Sequence, residues 1–182
     1  MQIGIFFCSY IMEIKVAIQG IQGSFHHQVA HRYFGDAIGL DECSSFRDVV
    51  NSLKTNQSDK AIMAIENSIA GAILPNYALI DSYDLHIIGE HFLDIHMNLM
   101  VLPGQTIEDI KEVHSHPIAL LQCANFFSLY PHIKLVESSD TAITAKRIQE
   151  NQLRGIGALA GPVAANIYNL EIIADGIHTV KS

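Results

Sequence analysis

Four stretches of the chain place uncharged hydrogen-bonding side chains directly after a short apolar run. In the most informative one, the run Ala61–Ile65 stops at Glu66, Asn67 and Ser68. In open α/β sheets, ligands bind at the carboxyl ends of strands, where the N–H groups that start the next helix can hold an anion. Almost no lysine or arginine lies in these stretches, so the pattern indicates a small anion held by amides and hydroxyls. The same construction recurs over Val16–Phe25, Val113–Cys123 and Leu135–Ala142.

Each junction also has a purely structural interpretation. The side chain of Asn67 or Ser68 could accept the unpaired N–H groups in the first turn of a following helix, and the role of Gly71 could be no more than to shape a turn. Ser24 stands where a helix starts after two glycines, and Pro117 occupies a first helical position, where its missing N–H removes no hydrogen bond. A single junction favours capping over ligand binding, so the functional interpretation depends on the four occurring together.

Alternating strand and helix patterns predict an α/β fold. Ser45 begins an amphipathic helix with Phe46, Val49, Val50 and Leu53 on one apolar face, and Pro117 opens another helix that runs to about residue 129. No repeat or linker divides the chain, so two lobes, if present, must be interleaved. Strands are predicted over residues 14–19, 61–65, 86–89, 95–102, 112–115, 133–136, 155–160 and 171–175.

The composition is typical of a soluble catalytic or binding domain. The 182 residues are 49% hydrophobic, which is enough for one core or two small lobes. A formal net charge of −8 argues against nucleic acid and anionic membrane surfaces as partners. Three cysteines, an odd number without metal spacing, favour a reduced, cytoplasmic setting. Cys123 is expected to be a buried apolar residue rather than a nucleophile.

The apolar run at the N-terminus is expected to lie outside the fold. It lacks a basic region and a small-residue cleavage site, and it is too short to span a bilayer. Because the first strand opens at Ile14, residues 1–11 are predicted to be an extension upstream of a functional start at Met12. Their deletion is expected to leave the melting temperature unchanged or to improve solubility.

The histidines and the glycine turn do not indicate a metal or nucleotide site. His114 and His116 could share one face of a strand, but no carboxylate at ligand spacing accompanies them. The turn Gly20–Gly23 is half of a dinucleotide fingerprint, and His26 stands where the third glycine belongs. No Gly-x-Ser-x-Gly elbow supports a serine hydrolase. The sequence therefore predicts neither a metal nor a cofactor.

In this order, the four blocks resemble those of prephenate dehydratase, which converts prephenate to phenylpyruvate in phenylalanine biosynthesis. The family's G-P-x-G-T-F block corresponds to Gly20–Phe25, its P-I-E-N-S block to Ala64–Ser68, and its S-H-P-x-A-x-x-Q-C block to Ser115–Cys123. A Ser-Ser-x-Thr-Ala block begins at Ser138. The resemblance covers residues 14–180, with Ile21 and Ala64 in place of family prolines.

The resemblance implies which side chains bind the substrate, a small dicarboxylate. Asn67 and Ser68 would contact it from one lobe, and Ser24 and Phe25 belong to the same predicted set. Glu66 is expected to be structural, because a carboxylate beside a dianion is repulsive. The other side of the site would be shaped by Ser115, His116, Ser138, Ser139 and Thr141.

The resemblance also implies a two-lobed, periplasmic-binding-protein-like fold of type II, with interleaved lobes and a cleft between them. Residues 12–90 and 163–182 would form the first lobe, and residues 91–162 the second. The family usually forms dimers or tetramers, so a cytoplasmic homodimer or homotetramer is expected.

The end of the chain bears on activity. The family's proposed general acid is the threonine of a Thr-Arg-Phe motif, and the sequence reaches Ser182 before such a motif or an ACT regulatory domain. We therefore expect a truncated dehydratase domain with little activity by itself. The alternative is an inactive small-anion-binding module of the same fold. Whether arogenate is also accepted is left open.

Overall fold

The computed structural model describes residues 13–68 and 71–179. Within this part of the chain, no helix combines the length and hydropathy needed to traverse a membrane. The predicted extension, residues 1–11, and the predicted start at Met12 lie outside the described residues.

The first lobe, residues 14–82, is built on a parallel sheet. β1 (Ile14–Gln19) lies at its centre, between β2 (Ile38–Cys43) and β3 (Lys60–Ile62). The middle of β1, Val16 to Ile18, is fully buried. A parallel strand is covered on both faces, which explains the unbroken apolar run in its sequence.

Two crossover helices connect these strands, α1 (Phe25–Phe34) and α2 (Phe46–Lys54). Each begins directly after the serine whose side chain caps it, Ser24 for α1 and Ser45 for α2. Val49 and Val50 on α2 are fully buried, as the amphipathic pattern predicts. The sequence signals for both helix starts are therefore confirmed.

A short hairpin and one helix complete the first lobe. The hairpin joins β4 (Glu66–Asn67) to β5 (Gly71–Ala72), and α3 (Leu74–Ser82) follows. The side-chain amide of Asn76 on α3 is buried and donates to the carbonyl of Ala64 at 2.7 Å. This bond ties the helix to the segment that precedes the hairpin.

The second lobe, residues 98–174, holds a mixed sheet of five strands. The central β9 pairs in parallel with β7 and antiparallel with β6, so the sheet order is β10-β6-β9-β7-β8 once the strands are numbered along the chain. The strands are β6 (Asn98–Val101), β7 (Glu112–Ser115), β8 (Lys134–Glu137), β9 (Ile156–Ala160) and β10 (Glu171–Ala174).

Four helices pack with this sheet, and the starts of three of them matter for the site, because α4, α6 and α7 each follow the carboxyl end of a strand in the parallel part of the sheet. α6 is the longest, and its residues Ala142, Ala145 and Ile148 are fully buried. A single 3₁₀ turn spans Ile107–Asp109. The helices are α4 (Pro117–Gln122), α5 (Ala124–Phe127), α6 (Thr141–Glu150) and α7 (Pro162–Ile167).

The α/β, two-lobed, periplasmic-binding-protein-like architecture is confirmed, whereas several predicted elements differ. The helix from Pro117 is split at Cys123 into α4 and α5. Residues 86–89 form no strand, and the predicted strand 95–102 begins only at Asn98. β2 is not predicted, because Gly39, Asp41 and Glu42 hide its apolar character.

The bounds of the lobes also differ at one point. The sequence predicts that residues 163–182 return to the first lobe. β10, however, pairs antiparallel with β6 in the five-stranded sheet, so this strand lies in the second lobe. The remaining lobe bounds stay a prediction.

Candidate functional site

The turn between β1 and α1 carries the first group of predicted residues. Gly20 and Gly23 have φ angles of +96° and +91°, a backbone conformation that residues other than glycine rarely adopt. Ser24 is only 3% exposed, and its hydroxyl accepts the amide of His27 at 3.2 Å. The amides of Phe25 and His26 occupy the first two helical positions, where the helix itself provides no acceptor. This turn therefore offers amide donors rather than a free serine hydroxyl.

The histidine in that first turn contributes no positive charge. Burial lowers the pKa of His26 to about 4, so its ring is neutral at physiological pH. Its Nε2 atom is buried and has no hydrogen-bond partner among the described residues. The ring packs edge-on against Phe46 with centroids 5.4 Å apart.

Asp140 brings the second lobe against this turn. Its Oδ1 caps α6 by accepting the amides of Ala142 at 2.7 Å and Ile143 at 3.2 Å. A Cβ built on Gly20 would lie 2.9 Å from Asp140 Oδ2 and 3.3 Å from Ser24 Cβ. Asp140 and Ser24, from different lobes, thus meet on either side of Gly20.

Burial raises the pKa of the Asp140 carboxyl, although the two capping amides and the nearby His116 oppose the shift. Asp140 is not among the site residues predicted from the sequence. Its signal was present, since aspartate directly before a helical Thr-Ala pair is a preferred N-cap.

Phe25 makes a second contact between the lobes. A Cβ built on Gly161, the residue that joins β9 to α7, would lie 2.9 Å from Cε1 of the Phe25 ring. Phe25 also packs against the main hydrophobic core of the second lobe. The aromatic residue of the predicted set therefore fastens the first lobe to the second.

The hydroxyls around β7 are largely engaged within the protein. Ser115 is fully buried, and its Oγ donates to the carbonyl of Leu159 at 2.8 Å. The carbonyl of Ser115 accepts the amide of Ser138 at 2.8 Å, and Ser138 Oγ accepts from Thr144 at 3.2 Å. These bonds fix the two strand ends, and a direct role of either serine in ligand binding stays a prediction.

The remaining predicted residues of the second lobe differ in exposure. Nδ1 of His116 accepts the amide of Ile118 at 3.3 Å and so caps α4. Thr141, the first residue of α6, is 8% exposed, whereas Ser139 is exposed to solvent. Ser139 is therefore the hydroxyl of this block that a ligand could reach most directly.

Asn67 and Ser68 lie on the hairpin rather than at a helix start. Asn67 pairs with Gly71, whose φ angle is +73°, and Ser68 is exposed. Because the next helix begins only at Leu74, the capping interpretation of Asn67 and Ser68 is wrong. Their contact with a substrate stays a prediction, as does the structural role of the exposed Glu66.

A cavity of about 540 Å³ opens between the lobes, beside the turn that joins β1 to α1. At its wall, the amide of Gln22 donates to Glu42 Oε1 at 2.6 Å, and the hydroxyl of Tyr168 donates to the carbonyl of Gln22 at 2.6 Å. Burial, with smaller contributions from nearby carboxylates, raises the pKa of Tyr168 to about 12, which keeps the phenol protonated. The lining residues are Gln22, Leu40, Glu42, Lys146 and Tyr168.

The described residues also bear on metals and thiols. Within residues 13–68 and 71–179, no group of three or more histidine, cysteine or acidic residues could hold a metal ion. Cys123 is fully buried, and burial raises the pKa of its thiol to about 12. It is a core residue, as predicted, and too weakly ionised to act as a nucleophile.

Sequence comparisons identify proteins that are related to this chain. A family model described as "Prephenate dehydratase" matches residues 16–182. The chain is 35% identical over 165 residues to "Arogenate dehydratase/prephenate dehydratase 1, chloroplastic" of Arabidopsis thaliana, a match that covers 91% of the chain and 42% of that protein. It is 33% identical over 173 residues to the "Bifunctional chorismate mutase/prephenate dehydratase" of Buchnera aphidicola, covering 92% and 45%. The chain thus spans less than half the length of these relatives.

Solved structures share the fold. The prephenate dehydratase from Arthrobacter aurescens, solved in complex with L-Phe, superposes with a TM-score of 0.83 at 25% identity, over 92% of this chain and 57% of that one. GqqA, described as a novel type of quorum quenching acylase, superposes with a TM-score of 0.81 at 26% identity, over 91% and 60%.

Proposed function

The chain belongs to the prephenate dehydratase family, and from that premise we propose that it is a catalytic domain which converts prephenate to phenylpyruvate. The observation that carries the proposal is the meeting of two helix starts: the turn before α1 and the cap of α6 touch at Gly20. Two of the four sequence blocks that resemble the family, Gly20–Phe25 and the block that begins at Ser138, contain these loops. Membership in the family does not favour the inactive module as an alternative.

The reaction makes modest demands on a protein. Prephenate is a dicarboxylate with a ring hydroxyl, and the joint loss of carbon dioxide and that hydroxyl produces an aromatic ring. No electron sink is needed, because the electron pair of the departing carboxylate enters the ring as the hydroxyl leaves. The protein must orient the carboxylates and protonate the leaving oxygen, and a positioned acid contributes roughly 10²- to 10⁴-fold in rate.

Several groups are suited to orient such a substrate. The amides of Phe25 and His26 can donate to one carboxylate at the positive end of the α1 dipole. The exposed hydroxyl of Ser139 is available to the same ligand from the second lobe, and Asn67 and Ser68 would approach from the hairpin. In this proposal Ser115, Ser138 and Thr141 hold the strand and helix ends in place, and the proton comes from a group outside this set.

The proposed setting follows from the same premise. We propose a role in phenylalanine biosynthesis in a reduced compartment such as the cytoplasm, where the free thiols Cys43 and Cys123 would persist. A homodimer or homotetramer is proposed for the assembly.

The test uses prephenate turnover and phenylpyruvate binding with the purified 182-residue chain. Binding is measured by calorimetry and turnover by the absorbance of phenylpyruvate. We expect saturable binding even where turnover is slow, because the orienting groups are distinct from the acid. A folded chain that neither binds phenylpyruvate nor converts prephenate contradicts the proposal.

Two substitutions localise the site. Charge-assisted hydrogen bonds contribute about 1.5 to 3 kcal/mol, so Asn67→Ala and Ser139→Ala should each lower phenylpyruvate affinity, or kcat/KM where turnover is measurable, at least about tenfold. Asn151→Ala and Ser128→Ala are matched controls, because both lie at helix ends that lead away from the strand ends of the site. Equal effects in test and control variants would remove these junctions from the site.

A further inference from the structure

His27 joins the start of α1 to the turn before it through two hydrogen bonds. Its backbone amide donates to the hydroxyl of Ser24 at 3.2 Å, and its ring atom Nδ1 accepts the amide of Gly23 at 3.1 Å. The arrangement resembles a capping box, in which a glutamate or glutamine at the third helical position reaches back to an amide before the helix. Here a histidine occupies that position and reaches the residue before the N-cap. The side chain that shapes this turn is therefore titratable.

The direction of the bond from Gly23 fixes the protonation state of the His27 ring. A backbone N–H can only donate, so Nδ1 must present its lone pair, and the neutral ring carries its proton on Nε2. A second proton can bind only at Nδ1, where it would face the N–H of Gly23. The protonated ring therefore cannot keep this hydrogen bond.

The surroundings of His27 favour the neutral ring. His27 is 9% exposed, and burial lowers its pKa from 6.5. The ring of His31, one turn further along α1, lies 4.6 Å away between centroids and lowers the pKa further, whereas Glu42 on β2 opposes the shift. From the second lobe, Tyr168 approaches Gly23 with a phenol whose pKa of about 12 keeps it protonated. The bond from Gly23 is thus intact at neutral pH and is lost in acid.

The turn that this bond holds has two neighbours. On one side it faces the second lobe, because a Cβ on Gly23 would lie 3.1 Å from the ring of Tyr168 and 3.2 Å from the backbone of Ala164. The carbonyl of Gln22, one residue earlier, accepts the Tyr168 hydroxyl at 2.6 Å. On the other side, α1 begins two residues after Gly23. Movement of the Gly23 amide would therefore disturb both the contact between the lobes and the start of α1.

We propose that His27 is a positioning residue whose neutral ring holds the turn between β1 and α1 in its binding-competent form and whose protonation releases that turn. The inference rests on the proposed function, which assigns a substrate carboxylate to the amides that start α1. His27 itself makes no contact with the substrate in this scheme, because it acts through the Gly23 amide. Substrate binding should therefore weaken as the pH falls, although the carboxylates of the ligand keep their charge.

Three variants separate the hydrogen bond from the bulk of the ring. His27→Gln keeps an acceptor at the third helical position, as in a capping box, but does not titrate. His27→Leu keeps an apolar body and has no acceptor. His31→Gln is the matched control, because it removes the neighbouring ring, which pairs with Asp36, and leaves the bond from Gly23 in place.

Calorimetry with phenylpyruvate on the full 182-residue chain measures binding from about pH 7.5 down to about pH 5, a range in which an ordinary histidine titrates. His26 does not interfere, because burial lowers its pKa to about 4. For the wild-type chain we expect the affinity to fall about two- to tenfold below pH 6.5, which is the contribution of one hydrogen bond.

The variants should divide along the hydrogen bond. His27→Gln should bind equally across the pH range, and His27→Leu should bind weakly throughout. His31→Gln should keep the acid loss and move its midpoint toward higher pH, because His31 lowers the pKa of His27. The amide resonance of Gly23, followed by nuclear magnetic resonance without any ligand, should shift with pH in the wild-type chain and stay fixed in His27→Gln.

The outcomes separate this inference from the proposed function. If the wild-type chain binds phenylpyruvate and His27→Gln shows the same acid loss, the role of His27 is refuted and the proposed function stands. Equal affinities of His27→Gln and His27→Leu at neutral pH also refute it, because a bulky ring alone would then suffice. Should His27→Leu fail to fold, the comparison of wild type with His27→Gln and the Gly23 resonance decide. If the folded wild-type chain binds no phenylpyruvate, the inference fails together with the proposed function.

Discussion

The contact between Gly161 and Phe25 predicts a measurable steric cost for one added methyl group. Gly161 has φ −69° and ψ 158°, a conformation open to any residue, so Gly161→Ala introduces no backbone strain. The new Cβ would lie 2.9 Å from Phe25 Cε1 and 3.4 Å from Cζ, closer than atoms in van der Waals contact. Extra methyl groups in well-packed regions cost about 1 to 3 kcal/mol, and we expect Gly161→Ala to lower the free energy of unfolding by that amount.

Urea denaturation followed by circular dichroism measures this change, and Gly39→Ala is the matched control. A Cβ on Gly39 would meet nothing closer than 3.7 Å. Alanine there should be neutral or stabilise the protein by about 0.4 to 1 kcal/mol through the unfolded state. The two variants should therefore differ in sign or by at least about 1 kcal/mol.

A double-mutant cycle tests whether Phe25 is the cause. Phe25→Leu removes the ring atoms that crowd Gly161, so the alanine should cost little in that background, and the coupling energy should fall in the range of about 0.5 to 3 kcal/mol. If Gly161→Ala and Gly39→Ala shift stability equally, or if the cycle shows no coupling, the close approach of the lobes through Phe25 is refuted.

Three further perturbations follow from the same contact region. Gly20→Ala should lower the free energy of unfolding by about 1 to 3 kcal/mol, because it combines a φ of +96° with a Cβ that crowds Asp140. Gly104 has a φ of +74° and open space around it, so Gly104→Ala should show only the backbone strain. Equal losses in the two variants would contradict the crowding. Tyr168→Phe removes the 2.6 Å bond to the Gln22 carbonyl and should cost about 0.5 to 1.5 kcal/mol in urea denaturation, whereas no loss would mean that water replaces the phenol. Burial raises the native pKa of Asp140 above 3.8, so the free energy of unfolding should fall as the pH rises from 3.8 through that native pKa. The Asp140→Asn variant should lack this fall. Parallel pH profiles of the wild-type protein and the variant would count against a buried carboxyl.

Local signals in the sequence predicted the parts of the fold that depend on neighbouring residues. Ser24 and Ser45 mark helix starts because a serine cap acts within three residues of itself, and the buried middle of β1 is visible as an apolar run. β2 escaped prediction because Asp41 is a half-buried polar strand residue: its carboxylate accepts hydrogen bonds from Ser52 on α2 and from Ser58 in the loop that follows α2. Its strand character depends on pairing with β1 along its whole length, which no local pattern contains.

For the candidate site, too, the sequence predicts the local blocks but not the contacts between distant residues. The blocks that hold Asn67, Ser115 and Ser139 are legible in the sequence, but the direction of each side chain depends on contacts between distant residues. Ser115 turns its hydroxyl to Leu159 because β7 pairs beside β9, and Asp140 gains its position only when the turn before α1 packs on α6. The bond from Tyr168 to Gln22 joins residues that are 146 positions apart.

These contacts change what the glycine-rich block signifies. A turn such as Gly20 to Ser24 is usually interpreted as an anion cradle, because small residues let a ligand approach the backbone. Here Gly20 faces Asp140, and Gly23 would place a Cβ 3.1 Å from the ring of Tyr168 and 3.2 Å from the backbone of Ala164. The glycines are thus required for the second lobe to approach, while the amides at the start of α1 remain for the ligand. Substitution of these glycines should therefore act on stability, and substitution of Asn67 or Ser139 on binding, so that packing between the lobes and ligand binding can be separated by experiment.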